Sequence, residues 1–306
     1  MIAKMILGTR GSELARAQAL LVKTAIQSVN PSVAIETKII ATSGDNAKVV
    51  DLHAGRKGLF TAEIERALVA GDVDVAVHSA KDLPSETSSG AQITAVLPRG
   101  PINDVLISKY PGGFASVRSG GTVATGSVRR QRQLHWKRAD LNVVDLRGNV
   151  PTRLRKLAEK EWDGIVLARA GLERLGFSFN GTEIVGGQFF LEILPSEIFV
   201  PAGGQGIIAL QIRSDDQKTK ALLESVSDRE TLLCLLAERE FLNRLHGDCN
   251  FPVGVHATMN NGKMKLRAQV FQSESPSPRE AEVEGGSEEG TRLARELLQK
   301  IEHEHE

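Results

Sequence analysis

The sequence predicts an α/β protein with two domains of alternating strands and helices and a smaller third α+β domain. Two blocks of the chain alternate short apolar strands with amphipathic helices. Proline-bounded crossings near residues 98–101 and 195–201 join these two blocks. The last part of the chain holds a long apolar helix, two β-like segments and a final helix. The three domains are expected at residues 1–98 with 199–215, at 102–194 and at 219–306.

The composition is that of an ordinary globular protein. The chain has 306 residues, of which 41% are apolar and 25% charged, enough for two or three cores. Basic and acidic residues both number 38, so the net charge indicates neither a nucleic acid nor a membrane as a partner. Two cysteines, no secretory signal pattern and no long apolar stretch lead us to expect a cytoplasmic protein.

The first block begins with a strand near residues 2–7. The turn Gly8-Thr9-Arg10-Gly11-Ser12 follows, and Ser12 is expected to cap a helix that continues to about residue 29. A helix N-terminus after a strand offers free N–H groups to an anion, and Arg10 adds a full charge. An ordinary turn with one exposed arginine is the competing interpretation.

A second strand of this block ends in several ionisable groups. After a strand at 33–40, a polar loop at 41–57 and a helix at 61–70, the strand at 73–77 runs into His78-Ser79-Ala80-Lys81-Asp82-Leu83-Pro84. Ligands bind at the carboxyl ends of strands in α/β sheets. Lys81 and Asp82 are therefore either a surface ion pair or a functional pair in which Asp82 stays ionised. We assign no catalytic role to His78.

The other expected elements follow the same periodicities. Strands are expected at 93–97, 104–108, 122–125, 141–146, 165–168 and 207–212, and helices at 128–138, 151–160 and up to 175. In the third domain we expect a helix at 229–245, strands at 253–259 and 265–271, one short β-like piece within 273–290, and a helix at 291–302.

Basic residues are concentrated in the second domain. Between Arg129 and Lys156 there are nine basic and two acidic residues, a net charge of +7. Arg129 and Arg130 lie at a helix start, where a cation opposes the helix dipole, so an anion is expected nearby. A nucleic-acid surface, a phosphate site and a polycarboxylate site all remain open. Because the arginines are spread over several strand ends, the pattern favours the polycarboxylate site.

The two cysteines lie in different surroundings. Cys234 is in the middle of the long helix and is expected to be a small core residue. Cys249 lies in the glycine-containing loop His246-Gly247-Asp248-Cys249-Asn250-Phe251-Pro252-Val253-Gly254, where it is either a surface thiol without a role or a site of covalent attachment. No cluster has the spacing of a metal site, so no metal is expected.

Eight short motifs, in this order, resemble those of one family. They are Arg10-Gly11-Ser12, Lys57-Gly58-Leu59-Phe60, His78-Ser79-Ala80-Lys81-Asp82-Leu83-Pro84, Thr125-Gly126-Ser127-Val128-Arg129-Arg130, Leu146-Arg147-Gly148-Asn149-Val150-Pro151-Thr152-Arg153, Ala170-Gly171-Leu172-Glu173-Arg174-Leu175, Gly204-Gln205-Gly206 and the Cys249 loop. The family is that of the porphobilinogen deaminases, also called hydroxymethylbilane synthases. The matching pieces run from near residue 5 to near residue 256.

The resemblance implies a fold and a reaction. The first two domains would resemble a type II periplasmic binding protein, and the third would carry the cysteine. A dipyrromethane cofactor, which the enzyme builds from its own substrate, would be joined to Cys249 through a thioether. The enzyme, a monomeric transferase of tetrapyrrole biosynthesis, would condense four porphobilinogens into hydroxymethylbilane and release ammonia at each step. No nucleic acid or membrane is implied as a partner.

The resemblance also implies roles for individual residues. Asp82 would be catalytic, because a carboxylate can stabilise the azafulvene cation left by the loss of ammonia. Phe60 would cover the site, and the loop at 41–57 would be a mobile lid. The cofactor would be bound by Cys249, Lys81, Ser127, Arg129 and Arg130. The substrate would be bound by Arg10, Ser12, Phe60, Thr125, Arg147, Arg153 and Arg174.

Two positions depart from the family pattern. Gly203 stands where the family often has proline, and it should loosen the second crossing. Asp248 stands where a glycine is commoner, and its charge should raise the pKa of the Cys249 thiol. The competing function is a non-catalytic two-lobed binding protein for an anionic polycarboxylate ligand.

Overall fold

The structure is a computed structural model, and it describes most of the chain. The described residues are 2–43, 61–86, 88–177, 184–185, 189–245, 251–272 and 275–303. The strands are β1 (Lys4–Thr9), β2 (Ala34–Ile39), β3 (Val75–Ser79), β4 (Ala91–Val96), β5 (Asp104–Ser108), β6 (Thr122–Ala124), β7 (Asn142–Val144), β8 (Gly164–Ala168), β9 (Ile184–Val185), β10 (Phe189–Ile193), β11 (Ile208–Arg213), β12 (Val253–Asn260), β13 (Lys263–Val270) and β14 (Arg279–Gly286).

The helices of the described residues connect or cover these strands. They are α1 (Glu13–Val29), α2 (Ala62–Val69), α3 (Val128–Lys137), α4 (Val150–Glu159), α5 (Arg169–Arg174), α6 (Gln217–Glu224), α7 (Arg229–Arg244) and α8 (Gly290–His303), with short 3-10 helices at Ala80–Asp82 and Phe114–Ser116. None of these helices is long and apolar enough to cross a membrane.

The first sheet has five strands in the order β2-β1-β3-β11-β4. Strands β1, β2 and β3 are parallel, and β11 is antiparallel to both of its neighbours. Because side chains alternate along a strand, Met5 and Leu7 pack with α1 on one face, while Ala76 packs with Ile64 and Leu68 of α2 on the other. Both faces of the sheet are therefore covered.

The second sheet repeats this arrangement. Its order is β7-β6-β8-β5-β10-β9, in which β6 is parallel to β7 and β8, and β5 is antiparallel to β8 and β10. In each sheet three parallel strands are followed by one antiparallel strand that adjoins a crossing. This repetition confirms the prediction of two alternating α/β units, of which the first consists of the five-stranded sheet with its helices and the second of the six-stranded sheet with its helices.

The third unit is an antiparallel sheet, β12-β13-β14, packed against α7 and α8. Phe241, Leu266 and Leu297 are fully buried in its core. Cys234 belongs to the same core with 5% of its surface exposed, as predicted for a small core residue. Burial raises the pKa of its thiol to about 12. The expected class of a smaller α+β unit is confirmed.

Four of the helices and strands differ from the sequence-based expectation. The predictions omitted α6, β9 and β10 and gave β14 as a short piece, although it has eight residues. Helix α6 spans the predicted start of the third domain at residue 219, and its Leu223 packs in the core of the first sheet. The limits of the three domains otherwise remain predictions.

In the structure the two crossings are the segments 97–103, between β4 and β5, and 194–207, between β10 and β11. They lie side by side and are joined by hydrogen bonds. Gly100 donates its N–H to the carbonyl oxygen of Gly206 over 3.0 Å. Arg99 Nε donates to the carbonyl oxygen of Gln205 over 3.0 Å, and Gln205 Nε2 donates to that of Ile102 over 2.6 Å. The connection between the first two units is therefore a paired, hydrogen-bonded segment.

Gly203, in the second crossing, allows a close approach to the third unit. A Cβ atom there would lie 2.7 Å from Leu242 Cδ1 and 3.0 Å from Val255 Cγ1. The sequence predicted that this glycine would loosen the crossing. The structure adds that the space of its missing side chain is filled by Leu242 and Val255.

Candidate functional site

The carboxyl ends of β1 and β3 bring three of the expected residues to one cavity. These two strands are parallel neighbours in the first sheet, so the residues that follow them lie at the same edge. Arg10 and Ser12 follow β1, Asp82 follows β3, and all three line the cavity. Ser12 caps α1, as predicted, because its Oγ accepts from the N–H of Ala15 over 3.3 Å.

The short 3-10 helix that carries Lys81 and Asp82 is in close contact with the second crossing. The N–H of Ala80 donates to the carbonyl oxygen of Ile207 over 3.0 Å. Gly204 has a φ of +73°, and a Cβ atom there would lie 3.0 Å from the backbone nitrogen of Lys81. Only glycine satisfies both conditions, which explains the first glycine of Gly204-Gln205-Gly206.

The basic residues of the second sheet likewise lie at the carboxyl ends of its parallel strands. Thr125 and Ser127 follow β6, Arg147 follows β7, and α5, which contains Arg174, follows β8. Because β6, β7 and β8 are parallel, these segments leave the sheet at one edge. Thr125 is fully buried, and its Oγ1 accepts from the N–H of Ser127 over 3.3 Å.

Arg129 and Arg130, at the start of α3, are buried and bound to one carboxylate. Arg129 Nη1 donates to Asp104 Oδ2 over 2.8 Å, and Arg130 Nη2 donates to Asp104 Oδ1 over 2.7 Å. The anion expected beside these arginines is therefore in part an internal one. The Nε atoms of both arginines are buried and have no hydrogen-bond partner among the described residues.

Lys81 and Asp82 of the first unit lie close to the arginines of the second. The pKa of Lys81 is lowered to about 8, first by burial and then by the charge of Arg130, while Asp82 and Asp104 act in the opposite direction. The pKa of Arg153 is lowered to about 10 by burial and by Arg130, and Asp82 again opposes the shift. The charges of Arg130 and Asp82 therefore act on residues of both sheets.

Two further predicted residues have partners of their own. Arg147 Nε donates to Asp145 Oδ2 over 2.6 Å, and both side chains are partly exposed. Arg174 Nη2 donates to the carbonyl oxygen of Gly206, in the second crossing, over 2.6 Å. Burial lowers the pKa of Arg174 to about 10. Arg147 therefore has a solvent-accessible guanidinium, whereas Arg174 contacts the connection between the units.

Some predictions fall outside the described residues. These are the roles of Phe60 and Cys249, the effect of Asp248, and most of the lid expected at 41–57.

Sequence reasoning missed two buried polar residues at this edge. Asp104 begins β5, and Gln18 exchanges hydrogen bonds with Ser79 at the end of β3, with Nε2 to Oγ at 2.8 Å. Their signals were an acid at the start of an apolar strand and a polar residue on the apolar face of a helix. Neither signal identifies the partner, which depends on tertiary structure.

A separate cavity of about 330 Å³ lies at the opposite edge of the second sheet, lined in part by Tyr110 and Trp162. The charged residues Arg118 and Asp163 line it and are paired, Nε to Oδ1 at 3.0 Å. None of the residues predicted for the site lines this cavity. The site residues expected from the sequence therefore lie at the carboxyl ends of the parallel strands, away from this cavity.

Family comparisons match almost the whole chain. Residues 5–221 match the family model described as the dipyromethane cofactor binding domain of porphobilinogen deaminase. Residues 232–302 match the model described as the C-terminal domain of porphobilinogen deaminase.

Curated relatives are similar over nearly their full length. The porphobilinogen deaminase of Syntrophomonas wolfei is 42% identical over 306 residues, which covers 96% of this chain and 95% of the relative. That of Syntrophus aciditrophicus is 40% identical over 298 residues, which covers 97% and 94%. Among solved structures, the methionine-binding protein MetQ is 12% identical with a TM-score of 0.45, and the match covers 75% of this chain and 92% of MetQ.

Proposed function

Since the chain belongs to the porphobilinogen deaminase family, we propose that it joins four porphobilinogen molecules head to tail into hydroxymethylbilane, with release of ammonia at each step. The observation that carries this proposal is the position of Asp82 among cations. Its carboxylate acts electrostatically on its neighbour Lys81 and on Arg153 of α4, which belongs to the second unit.

The cations of this edge bind the carboxylates of the substrate. Porphobilinogen carries an acetate and a propionate group, and guanidinium groups bind carboxylates through paired hydrogen bonds. Arg10 and Ser12 serve from the first unit, and Arg147, Arg153 and Arg174 from the second. Thr125 and Phe60 complete the set of residues assigned to the substrate. The partial exposure of Arg147 supports its role, because its guanidinium can be reached by a ligand.

Asp82 acts on the reacting carbon. Loss of ammonia from the substrate leaves a cationic carbon conjugated with the pyrrole ring, and a carboxylate nearby stabilises that charge. The same carboxylate can accept a hydrogen bond from the pyrrole N–H and assist a proton transfer. Asp82 lines the cavity beside Arg10 and Ser12, as this role requires.

Residues from both units fit a bound dipyrromethane. Such a group carries several carboxylates, and Lys81, Ser127, Arg129 and Arg130 lie together where these would bind. The buried Nε atoms of Arg129 and Arg130 have no hydrogen-bond partner among the described residues, so each is available to an added acceptor. When bound, the group supplies a covalently held pyrrole to which a substrate can be joined.

Cys249 is the proposed point of attachment. The chain has two cysteines, and the thiol of Cys234 is buried with a pKa raised to about 12, which leaves little thiolate. The proposal includes a monomer that acts in the cytoplasm without a nucleic acid, a membrane or a metal. The low cysteine content supports this compartment.

The test combines mass spectrometry with a turnover assay. The purified protein is expected to carry two linked pyrrole units on the Cys249 peptide, and Cys249→Ser is expected to abolish this adduct while Cys234→Ala retains it. Asp82→Asn should fold normally and lose about 100-fold or more in turnover of porphobilinogen. Absence of an adduct, even after incubation with porphobilinogen, would instead support a non-catalytic binding protein for polycarboxylates.

A further inference from the structure

The carboxylate of Asp104 is the common partner of groups from two parts of the chain. Arg129 and Arg130 of α3 donate to its two oxygens over 2.8 and 2.7 Å. Gln205, from the second crossing, donates from Nε2 to Oδ1 over 2.9 Å. The Asp104 side chain is fully buried. It therefore joins the arginine pair to the connection between the two sheets.

Topology explains why Asp104 lies at this edge. Strand β5 is antiparallel to β8, and Asp104 at its start pairs with Ala168 at the end of β8. The start of an antiparallel strand thus lies beside the carboxyl ends of the parallel strands, where ligands bind in α/β sheets. Asp104 reaches the same edge as Arg129 and Arg130 although its strand runs in the opposite direction.

The contacts of the two arginines leave them little freedom. Arg129 Nη1 also donates to the carbonyl oxygen of Val200 over 3.0 Å and to Gln133 Oε1 over 2.8 Å. Arg130 Nη1 donates to the carbonyl oxygen of Val166 over 3.1 Å. Each guanidinium is held by Asp104 and by at least one further acceptor. Its orientation is therefore set before any ligand binds.

Asp104 is also a charge in the site. Burial alone would raise its pKa, but the charges of Arg129 and Arg130 outweigh burial and hold the pKa well below its usual range. Asp104 is therefore ionised at every working pH. Its charge reaches Lys81, where it offsets part of the repulsion from the two arginines.

We propose that Asp104 is a positioning residue, which fixes Arg129 and Arg130 and, through Gln205, ties them to the crossing that contacts the backbone of Lys81. It acts through these side chains and need not touch the substrate. Its link to Gln205 also makes the orientation of the arginine pair depend on the crossing between the sheets. The proposal rests on the function proposed above only for the effect on turnover, because the effect on Lys81 is a property of the protein alone.

Asp104→Asn removes the charge and keeps the shape, and Asp163→Asn is its matched control. Asp163 is also a buried aspartate of the second unit and is paired with Arg118, but at the far edge of the sheet. Both variants lose one buried carboxylate, so a general loss of stability should affect both. Circular dichroism and urea unfolding would establish that each is folded.

The first readout is the pH dependence of acetylation of Lys81 by acetic anhydride, followed by peptide mass mapping. Only the neutral amine reacts, so the midpoint reports the protonation of Lys81. Asp104→Asn should shift this midpoint downward by roughly one pH unit, and Asp163→Asn should leave it unchanged. An equal midpoint in folded Asp104→Asn and in the wild type would overturn the proposal, whether or not the protein turns over porphobilinogen.

A second variant decides the case in which Asp104→Asn does not fold. Asp104→Glu keeps the charge but displaces the arginine pair by the length of one methylene group. We expect an unchanged Lys81 midpoint together with a KM for porphobilinogen raised about tenfold, because misplaced groups bind less well. A wild-type KM in this variant would contradict a positioning role. If the wild-type protein does not turn over porphobilinogen, that result refutes the proposed function and not the positioning role.

Discussion

Arg99, in the first crossing, donates from Nη1 to Oε1 of Glu238 over 2.6 Å, and the Glu238 side chain is fully buried. The same carboxylate accepts from the N–H of Gly204, in the second crossing, over 2.6 Å. It also accepts from the N–H of Ala257 in β12 over 2.8 Å. One side chain of α7 therefore joins both crossings to the third unit.

Glu238→Gln should destabilise the protein strongly. The amide group would place a donor where Arg99 or a backbone N–H now donates, and Arg99 would lose its buried counter-charge. We expect the free energy of unfolding in urea to fall by about 3–5 kcal/mol. The control is Glu288→Gln, which breaks a largely exposed pair with Arg229 and should cost about 0–1 kcal/mol. Similar losses in the two variants would contradict the importance of burial.

Arg147→Leu should weaken substrate binding without unfolding the protein. Its pair with Asp145 is partly exposed, so its loss costs little stability, whereas a lost hydrogen bond to a substrate carboxylate should lower kcat/KM roughly tenfold or more. Steady-state kinetics with porphobilinogen measures this. Arg155→Leu is the matched control, because Arg155 belongs to the same basic block but pairs with Glu159. If both variants lose activity equally, the effect is one of net charge.

Stability should decrease in mild acid because of His78. Burial lowers the pKa of its imidazole to about 4, whereas an unfolded histidine titrates near 6.5. Between these values the unfolded chain binds the proton and the native chain does not. The contribution of His78 is therefore fully present above about pH 6.5 and is lost as the pH falls towards 4.

His78→Gln tests this contribution. It should reduce the pH dependence of the free energy of unfolding by up to about 1.4 kcal/mol per pH unit in that interval. Urea unfolding at several pH values gives the slope. His135→Gln, which removes an exposed imidazole of the second unit, is the control for the loss of a histidine as such. The same slope in wild type and His78→Gln would mean that the native protein protonates His78 readily.

Gly203→Ala should be destabilising, and Leu242→Ala should partly compensate. The added methyl group would overlap Leu242 Cδ1, and overpacking of this kind costs about 1–3 kcal/mol. Removing the Leu242 side chain frees that space, so the double variant should be more stable than the sum of the single changes predicts. Urea unfolding of the four proteins gives the coupling free energy. Strict additivity would show that Leu242 does not fill the space.

Periodicity was sufficient to predict most elements of the fold. Strand β5 has the predicted bounds, and α1 begins after the predicted cap Ser12. Strand β10 was missed because the sequence around it contains no clear alternation, and α6 because it is short and mostly polar. Such elements depend on the sheet or core that they pack against, which a local pattern does not contain.

The residues of the site were predicted from motifs, but their relationships were not. A motif names Arg129 and Arg130, yet it does not show that Asp104 holds both, because that contact depends on the antiparallel direction of β5. Likewise, the pKa of Lys81 depends on Arg130 in the other sheet. Contacts between side chains of different strands and sheets depend on tertiary structure, which the pattern of a single sequence does not contain.

The position of β11 determines the order in which the two sheets can be completed during synthesis on the ribosome. This strand lies between β3 and β4 of the first sheet, but it follows every strand of the second sheet along the chain. During synthesis the second sheet has all of its strands while β3 and β4 still lack their common neighbour, with edges open to wrong partners. The second sheet, which carries the arginines, can therefore be completed first. The first sheet, which carries Asp82, can be completed only after residue 213 has left the ribosome.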